Sequence, residues 1–263
     1  MIKRVCPIIL ALLWSVPAFA THPLMTDDTG TQGRGGFQFE YNGEYSTDHE
    51  HAAGIVEKES GGTIAAALTY GLSDNIDICV GLPWQWSSLW VNGNLVSNDN
   101  GIGDTSVEVK WRFLECKTHA FSLALKPKLL IPSGDAQKGL GNGNISGGVQ
   151  MIATKEWEKR ALHCNVGYLH NSYSMAQDAA ILKQDVWNAS LAAEVHLTDK
   201  LRSFADIRID SNVEKTPDPN RVFLLGGIIY RMKDTLDLDL GVKAGLNHAE
   251  SDKTILAGLT ARF

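Results

Sequence analysis

The last ten residues of the chain, 254 to 263, alternate in character from one residue to the next. Apolar or small side chains take every second position from Ile255 to Phe263, and Thr254, Thr260 and Arg262 lie between them. A period of two over this length is typical of a β-strand with one apolar face. The sequence ends on this strand, so we expect another strand to cover its open edge, as in a closed sheet.

The same alternation recurs along most of the chain. It is clearest from Phe37 to Ser46, where aromatic or small residues alternate with polar ones, whereas Val222 to Tyr230 is apolar on both faces. In all, the pattern predicts about 12 strands. They begin near Phe37, Ile64, Ile76, Val107, Phe121, Ile145, Leu162, Trp187, Ala205, Val222, Leu236 and Thr254.

Short and long connections take turns between these strands. Short ones are predicted at 71–75, 114–119, 155–160, 198–200 and 231–235; long polar ones are predicted at 47–61, 87–101, 132–144, 174–184 and 211–220, and a shorter one at 248–252. This order is typical of membrane barrels, which have tight turns at one end and long loops at the other. We therefore predict an all-β fold, an up-and-down antiparallel transmembrane β-barrel.

The start of the chain has the three parts of a secretory signal. Lys3 and Arg4 precede an apolar stretch from Ile8 to Val16, and Ala18–Ala20 is a small-x-small cleavage site. The apolar stretch is too short for a membrane anchor helix. We predict a cleaved signal peptide at 1–20, a periplasmic N-terminal segment at 21–36 and a barrel at 37–263.

Composition narrows the function classes. The formal net charge of −6 argues against nucleic acid as a partner. After cleavage three widely spaced cysteines remain, Cys79, Cys116 and Cys164, which form neither a disulfide framework nor a metal motif. The His49-Glu50-His51 triplet is better explained as a solvated loop than as a metal site. We predict no cofactor and no bound metal.

The polar faces of the strands decide between two arrangements. In a soluble sandwich the charged faces would meet solvent, whereas in a membrane barrel they turn toward the lumen. The aromatic residues near strand ends favour the barrel, because such residues form girdles at membrane interfaces. They are Phe37, Tyr45, Tyr70, Trp84, Trp111, Phe113, Trp187 and Tyr230.

A barrel of this kind would have charges of both signs in its lumen. The predicted pore-lining residues are Glu40, Glu44, Glu108, Lys110, Arg112, Lys126, Lys128, Glu194, Asp206, Arg208, Asp237, Asp239, Lys243 and Arg262. They suit an open polar passage and a lumen filled by paired charges equally well. For residues 21–36, which have no strand pattern, we favour a disordered tail over a segment that plugs the lumen.

An enzyme is the third alternative, since an outer-membrane phospholipase also has twelve strands. Its triad could come only from Ser190, Asn188 and the histidines at 163, 170 and 196. His163, His196 and Ser190 share the inward face, away from lipid, and no serine lies in a G-x-S-x-G motif. We therefore predict no catalytic residues.

Several segments together resemble one family, the meta-pathway phenol-degradation proteins, which are often described as transporters. The matching segments are His22–Leu24, Thr26–Gly33, Leu68–Leu72, Gly81–Trp84, Glu108–Phe113, Leu125–Pro127, Pro132–Asp135, Lys138–Gly141 and Leu236–Gly241. The resemblance implies an outer-membrane barrel that serves passage and not chemistry. It brings no catalytic residues with it.

The expected function is therefore an outer-membrane channel for small organic solutes, aromatic compounds among them. A barrel that serves a structural or adhesive role without transport is the alternative, and a phospholipase-like enzyme comes third. Expected partners are outer-membrane lipids, a small-molecule solute, and the barrel-assembly machinery through the strand that ends at Phe263. The expected location is the outer membrane of a Gram-negative bacterium.

Overall fold

The computed structural model of the protein describes residues 22–52 and 54–263, and the predicted signal peptide lies outside them. The described residues contain thirteen strands. They are β1 Phe37–Ala52, β2 Ile55–Ser73, β3 Ile76–Val91, β4 Asn94–Ile102, β5 Thr105–Cys116, β6 Phe121–Ile131, β7 Ser146–Trp157, β8 Arg160–His170, β9 Asp185–His196, β10 Leu201–Asp210, β11 Arg221–Lys233, β12 Leu236–Gly245 and β13 Lys253–Arg262.

Twelve of these strands close into one antiparallel barrel, which confirms the predicted fold class. Each strand of the ring pairs with its sequence neighbours, except that β3 pairs directly with β5. The ring closes where β1 pairs with β13, from Gln38 against Arg262 to Thr47 against Lys253. Closure leaves no unpaired edge within the twelve-stranded ring, the condition that hydrocarbon imposes on membrane strands.

The extra strand β4 and longer strands β1–β3 replace two of the predicted loops, so those two predictions were wrong. Residues 47–61 and 87–101 were expected to be irregular, but both form strands that extend past the ring. β4 pairs only with the far part of β3, from Trp84 against Ile102 to Val91 against Asn94. Apolar residues there, such as Leu89, Trp90, Leu95 and Val96, stand next to one another instead of at every second position, so the sequence has no regular alternation that would signal a strand.

The remaining connections separate the barrel into two ends. We call the end with the tight turns the turn end and the other the loop end. At the turn end, Lys117–His119 forms a one-turn 3-10 helix; at the loop end, Ala136–Lys138 forms another and Ala176–Ile181 forms the short helix α1. Among the described residues, no helix is long and apolar enough to cross a membrane.

The faces of the strands point as predicted. Phe39, Leu68 and Val166 are exposed on the outer surface, whereas Glu40, Ser106 and Asp206 are buried inside. Outward aromatic residues form a girdle at each end: Phe37, Tyr70, Trp111, Phe113, Trp157 and Tyr230 at the turn end, and Tyr45, Trp84, Tyr168 and Trp187 at the loop end. From Phe37 to Tyr45 a tilted strand rises roughly 20 Å, near the thickness of the apolar band of such barrels.

One part of the lumen is apolar. Phe204 of β10, Phe223, Leu225 and Ile229 of β11, and Leu256 of β13 form a buried cluster with Ala192 and Leu24. This cluster explains why the sequence of β11 is apolar on both faces. One face meets lipid, and the other packs against a residue that precedes the first strand.

Candidate functional site: the lumen and its N-terminal segment

Residues 22–36 lie inside the barrel; we call them the lumenal segment. The expectation of a disordered tail is therefore wrong. The segment joins β1 at the turn end, where backbone hydrogen bonds connect Gly35 and Gly36 to Gly71 of β2. From there it crosses the lumen, and Thr26, Asp27 and Thr29 are buried. The physical reason is that its polar groups find matching partners on eight strands of the barrel wall, from β1 to β12.

Asp27 is the centre of this contact. Its carboxylate oxygens accept hydrogen bonds from Lys110 Nζ and Lys126 Nζ, each at 2.8 Å. Its backbone N–H and C=O are bridged by the side-chain amide of Asn165 at 2.6 and 2.9 Å, with the amide oriented to match both groups. Asp27 and Asn165 are fully buried. Charge-assisted bonds in a buried setting are stronger than neutral ones, so Asp27 fixes the segment to β5, β6 and β8.

The lysines that bind Asp27 belong to a larger ion network. Lys126 also contacts Glu108 at 2.6 Å, and Lys128 contacts the other oxygen of Glu108 at 2.8 Å. The network thus alternates acid and base from Lys110 through Asp27, Lys126 and Glu108 to Lys128. A buried charge is tolerable when it is paired, and each of these five side chains has an opposite partner.

A second contact lies on the opposite wall, at Asp206 of β10. Its carboxylate accepts hydrogen bonds from the backbone N–H groups of Met25 and Thr26, both at 2.8 Å, and from Thr26 Oγ1 at 2.7 Å. The neighbouring Arg208 makes a bidentate pair with Asp210 and donates to the Met25 carbonyl at 3.3 Å. Asp206 thus satisfies backbone donors of a segment that forms no helix or strand of its own.

Further anchors follow the segment along the wall. Thr29 Oγ1 lies 2.5 Å from Ser122 Oγ of β6, and its N–H donates to Thr154 of β7 at 3.1 Å. The N–H of Gln32 donates to Asp77 of β3. These bonds add β3 and β7 to the strands that hold the segment, so its path is specified over most of its length.

Three other predicted residues, Glu194, Asp237 and Arg262, form ion pairs on the wall near the turn end. Glu194 binds Arg202 at 3.0 Å and His163 at 3.2 Å, and Asp237 binds Arg262 at 2.9 Å and Arg202 at 3.4 Å. His163 also bonds Thr154, so both of its ring nitrogens have partners in this network. The phospholipase-like alternative would instead need His163 to bond Ser190. Within residues 22–52 and 54–263, no group of three or more potential ligands could hold a metal ion.

The remaining predicted residues lie toward the two ends and the β12–β13 wall. Lys243 pairs with Glu250 at 2.8 Å near the loop end, and Arg112 lies near the turns, where it donates to the carbonyl of Asp74. Asp239 binds the ring of His22 at 2.6 Å. Glu40 is buried in the lumen beside the segment, and Glu44 faces inward on the same strand. All fourteen predicted residues thus face the lumen or its rim; that they line a conducting path stays a prediction.

Open space remains on both sides of the lumenal segment. At the loop end, a cavity of about 190 Å³ is lined by apolar residues, among them Leu130, Leu140 and Leu182, and by the basic residues Lys128 and Arg208. At the turn end, a cavity of about 400 Å³ is lined by charged residues and by the segment itself, at 27–28 and 30–32. Lys126 lines both cavities. The pair of Lys126 with Asp27 therefore lies at the boundary between them.

A folded loop forms part of the loop-end cavity. Asp104, between β4 and β5, accepts hydrogen bonds from the N–H of Gly134 at 3.0 Å and of Asn142 at 2.8 Å. Burial raises the pKa of Asp104, and these two bonds oppose the shift. The contact places Leu140 over the cavity, where it is buried. A side chain at Gly141 would displace the Asp104 carboxylate and so disturb its bonds to Gly134 and Asn142.

Acidic residues face each other at the outer part of the β1–β2 hairpin, beyond the closed ring. Asp48 lies opposite Glu59, and Glu50 lies opposite Glu57. Burial and the three neighbouring acids raise the pKa of Glu59 to about 8. Like charges directly opposite in a sheet repel one another, so a proton on Glu59 relieves part of this repulsion.

Sequence reasoning missed the segment's own residues and some of their partners. Asp27 and His22 lie in a stretch without strand periodicity, whereas Asn165 has the inward parity of its strand but carries no charge; neither Asn165 nor Arg202 is among the predicted pore-lining residues.

Comparisons with known proteins agree with this geometry. A model of the family described as "Putative MetA-pathway of phenol degradation" matches residues 26–263. The chain belongs to this family. The resemblance predicted from the sequence is thus confirmed, and the match includes the buried part of the lumenal segment together with the entire barrel. Comparison with curated protein sequences finds no match.

Solved structures share the fold at low sequence identity. An outer membrane channel from Pseudomonas putida F1 is 12% identical, with a TM-score of 0.69, and the match covers 90% of this chain and 98% of that one. The NanC porin is 10% identical with a TM-score of 0.58, covering 85% and 98%. The translocator domain of the autotransporter NalP from Neisseria meningitidis is 13% identical with a TM-score of 0.53, covering 89% and 91%. The barrel therefore has the fold of bacterial outer-membrane proteins.

Proposed function

We propose that the protein is an outer-membrane channel for small organic solutes, aromatic compounds among them. In this proposal it is exported from the cytoplasm of a Gram-negative bacterium by a signal peptide that is cleaved after Ala20. The observation that carries the proposal is the lumen: a polar interior with a cavity at each end, separated where Asp27 meets Lys126. A barrel with a purely structural role needs neither cavity.

The lining of the loop-end cavity supports an aromatic solute. Its apolar wall, with Leu130, Leu140 and Leu182, suits a ring, and the ion-paired side chains of Lys128 and Arg208 provide polar groups that suit a polar substituent. The volume of about 190 Å³ exceeds the roughly 150 Å³ of an engineered apolar cavity that accepts benzene. The family description, which refers to phenol degradation, agrees with this solute class.

The lumenal segment regulates passage in this proposal. It lies between the cavities, and polar contacts hold it while few apolar ones do, Leu24 being the main exception. Polar contacts, unlike packed apolar ones, can be replaced by bonds to water or to a polar solute, and the bonds to the charged Asp27 and Asp206 are the costliest to exchange. The segment can therefore leave the lumen without unfolding the barrel.

The proposed partners follow from the outer surface. Exposed apolar strand faces between the aromatic girdles would contact outer-membrane lipids. The C-terminal strand, with its exposed final residue Phe263, is our candidate for recognition by the barrel-assembly machinery.

A reversible lock on the segment tests the proposal. The hydroxyl oxygens of Thr29 and Ser122 are 2.5 Å apart. We replace both residues with cysteine, in a variant whose three native cysteines, Cys79, Cys116 and Cys164, are changed to serine. Conductance in planar bilayers and swelling of liposomes with aromatic acids and sugars are measured before and after oxidation. We expect oxidation to abolish flux and reductant to restore it, whereas the single T29C variant stays unaffected by oxidant.

Two outcomes would contradict the proposal in different ways. If neither the wild type nor the reduced variant conducts ions or solutes, the barrel does not transport, and the structural alternative stands. If the oxidised variant conducts as well as the reduced one, the channel is real but its path does not depend on the segment.

A further inference from the structure

The wall formed by β1, β12 and β13 presents buried acceptor atoms that have no donor. Glu40 Oε1, Asn42 Oδ1 and Asp239 Oδ2 each lack a hydrogen-bond partner among the described residues. Their residues are 2%, 8% and 8% exposed. Leaving a buried acceptor without a partner destabilises the fold, and more strongly when the acceptor is charged. Three such atoms in one place indicate a missing donor.

The strand register brings these atoms together. Asn42 pairs with Gly258, Gly258 pairs with Asp239, and Glu40 lies one inward position along β1. Asn42 Oδ1 and Asp239 Oδ2 lie 2.6 and 2.7 Å from the point that a Cβ of residue 258 would occupy, and His22 Nδ1 lies there too. Glycine at 258 therefore leaves the space in which these side chains converge above the strand. We call this the Gly258 site.

The charges at the Gly258 site do not balance. Glu40, Glu44 and Asp239 all interact with the ring of His22, and Asp239 contacts it at 2.6 Å. Two arginines of the lumen, Arg202 and Arg262, are bonded to Asp237. Lys243, which interacts with Glu44, is paired with Glu250. With all three carboxyl groups ionised, even a protonated His22 would leave an excess of negative charge, so a further cation is needed for the three to carry their charges together.

We propose that the Gly258 site binds a primary ammonium group. An ammonium has three N–H donors on one compact cation, which matches the two acceptors that converge beside Gly258, Asn42 Oδ1 and Asp239 Oδ2, and Glu40 Oε1 one inward position along β1. A water molecule would satisfy hydrogen bonds but leave the charge uncompensated. A divalent metal ion would need a set of ligands that residues 22–52 and 54–263 do not assemble.

The chain can supply such a group itself. If the signal peptide is removed after Ala20, the new α-ammonium belongs to the residue next to His22, whose ring already lies in the site. In the precursor the same nitrogen is an uncharged amide. Cleavage would then create the cation that completes the contact between the lumenal segment and β12. An external alkylamine shares this chemistry, and the experiment separates the two sources.

The test uses mature protein purified from outer membranes, its N-terminus determined by mass spectrometry. An amine-reactive ester is applied in detergent near pH 8, where a free α-amine with its ordinary pKa of about 8 reacts readily. Labelling of each amine is quantified by peptide mass spectrometry in folded and urea-unfolded protein. The exposed turn lysines Lys159 and Lys200 are internal standards.

We expect the α-amine of the folded protein to react at least tenfold more slowly than that of the unfolded protein, while the standards change little. The variants Glu40→Gln and Asp239→Asn should restore much of its reactivity, and Asp199→Asn, at an exposed turn, should not. Because the pH dependence of labelling in the wild type reports the α-amine pKa directly, a raised pKa supports the proposal even if a variant folds poorly.

A second arm addresses an external amine. If the α-amine reacts freely or the mature chain starts elsewhere, thermal unfolding is measured with ethylammonium chloride against sodium chloride. Stabilisation of the wild type by ethylammonium, absent in Asp239→Asn, would assign the site to an external ammonium. A freely reactive α-amine together with no effect of ethylammonium would overturn the proposal.

Discussion

Replacing Asp27 with asparagine tests what holds the lumenal segment in place. The substitution would keep the shape of the side chain but remove the charge that binds Lys110 and Lys126 at 2.8 Å each. Lys126 keeps Glu108 at 2.6 Å, and Lys110 keeps the carbonyl of Asp28 at 3.0 Å. The variant therefore weakens the docking of the segment and leaves the wall network largely intact.

The size of the effect follows from the burial of the pair. Removing one partner of a buried ion pair costs about 3–5 kcal/mol. Because both lysines retain an acceptor, we take the lower end, about 3 kcal/mol. At about 1.4 kcal/mol for each factor of ten, this shifts the ratio of undocked to docked segment by roughly 150-fold.

Single-channel recording in planar bilayers measures this shift. We expect D27N to show longer and more frequent open events than the wild type, and faster swelling of liposomes with small solutes. Asp199→Asn is the matched control, since it removes the same charge from an exposed turn. The reasoning is refuted if D27N gates like the wild type in bilayers where the wild type conducts, or if D199N changes gating as much.

Three further predictions concern other parts of the molecule. Asp104→Ala should release the backbone N–H groups of Gly134 and Asn142, which widens the loop-end mouth and raises the single-channel conductance. The temperature of unfolding should change little, because the substitution leaves the strand pairing of the ring intact. In the folded hairpin Glu59 keeps its proton up to about pH 8, whereas in the unfolded chain it loses the proton near pH 4.5. The stability of the hairpin should therefore fall as the pH rises from 4.5 to 8. Hydrogen exchange of β1–β2 should show this fall in the wild type and not in Glu59→Gln. Leu24→Ala should weaken docking by about 2–5 kcal/mol, because Leu24 fills the apolar cluster of the lumen, and unchanged hydrogen exchange in residues 22–33 would contradict this.

The barrel itself was predictable because its cause is local. In β1 and β13, each residue's face follows from its own parity, and parity can be read without knowing which strands pair. The alternation of connection lengths then gave the up-and-down order. Prediction failed where this regular alternation is missing, as in 47–61 and 87–101, whose strands extend past the ring.

The chain by itself thus determined a closed barrel, the lipid and lumen faces of its strands, and the set of charges that point inward. Only the tertiary structure decided what those charges do. Asp27 meets Lys110 and Lys126, and Thr26 meets Asp206, across long stretches of sequence. Such contacts depend on barrel diameter and strand register, which no local period encodes. For the same reason, nothing in the sequence of residues 22–36 distinguished a tail in solvent from a segment that crosses the lumen.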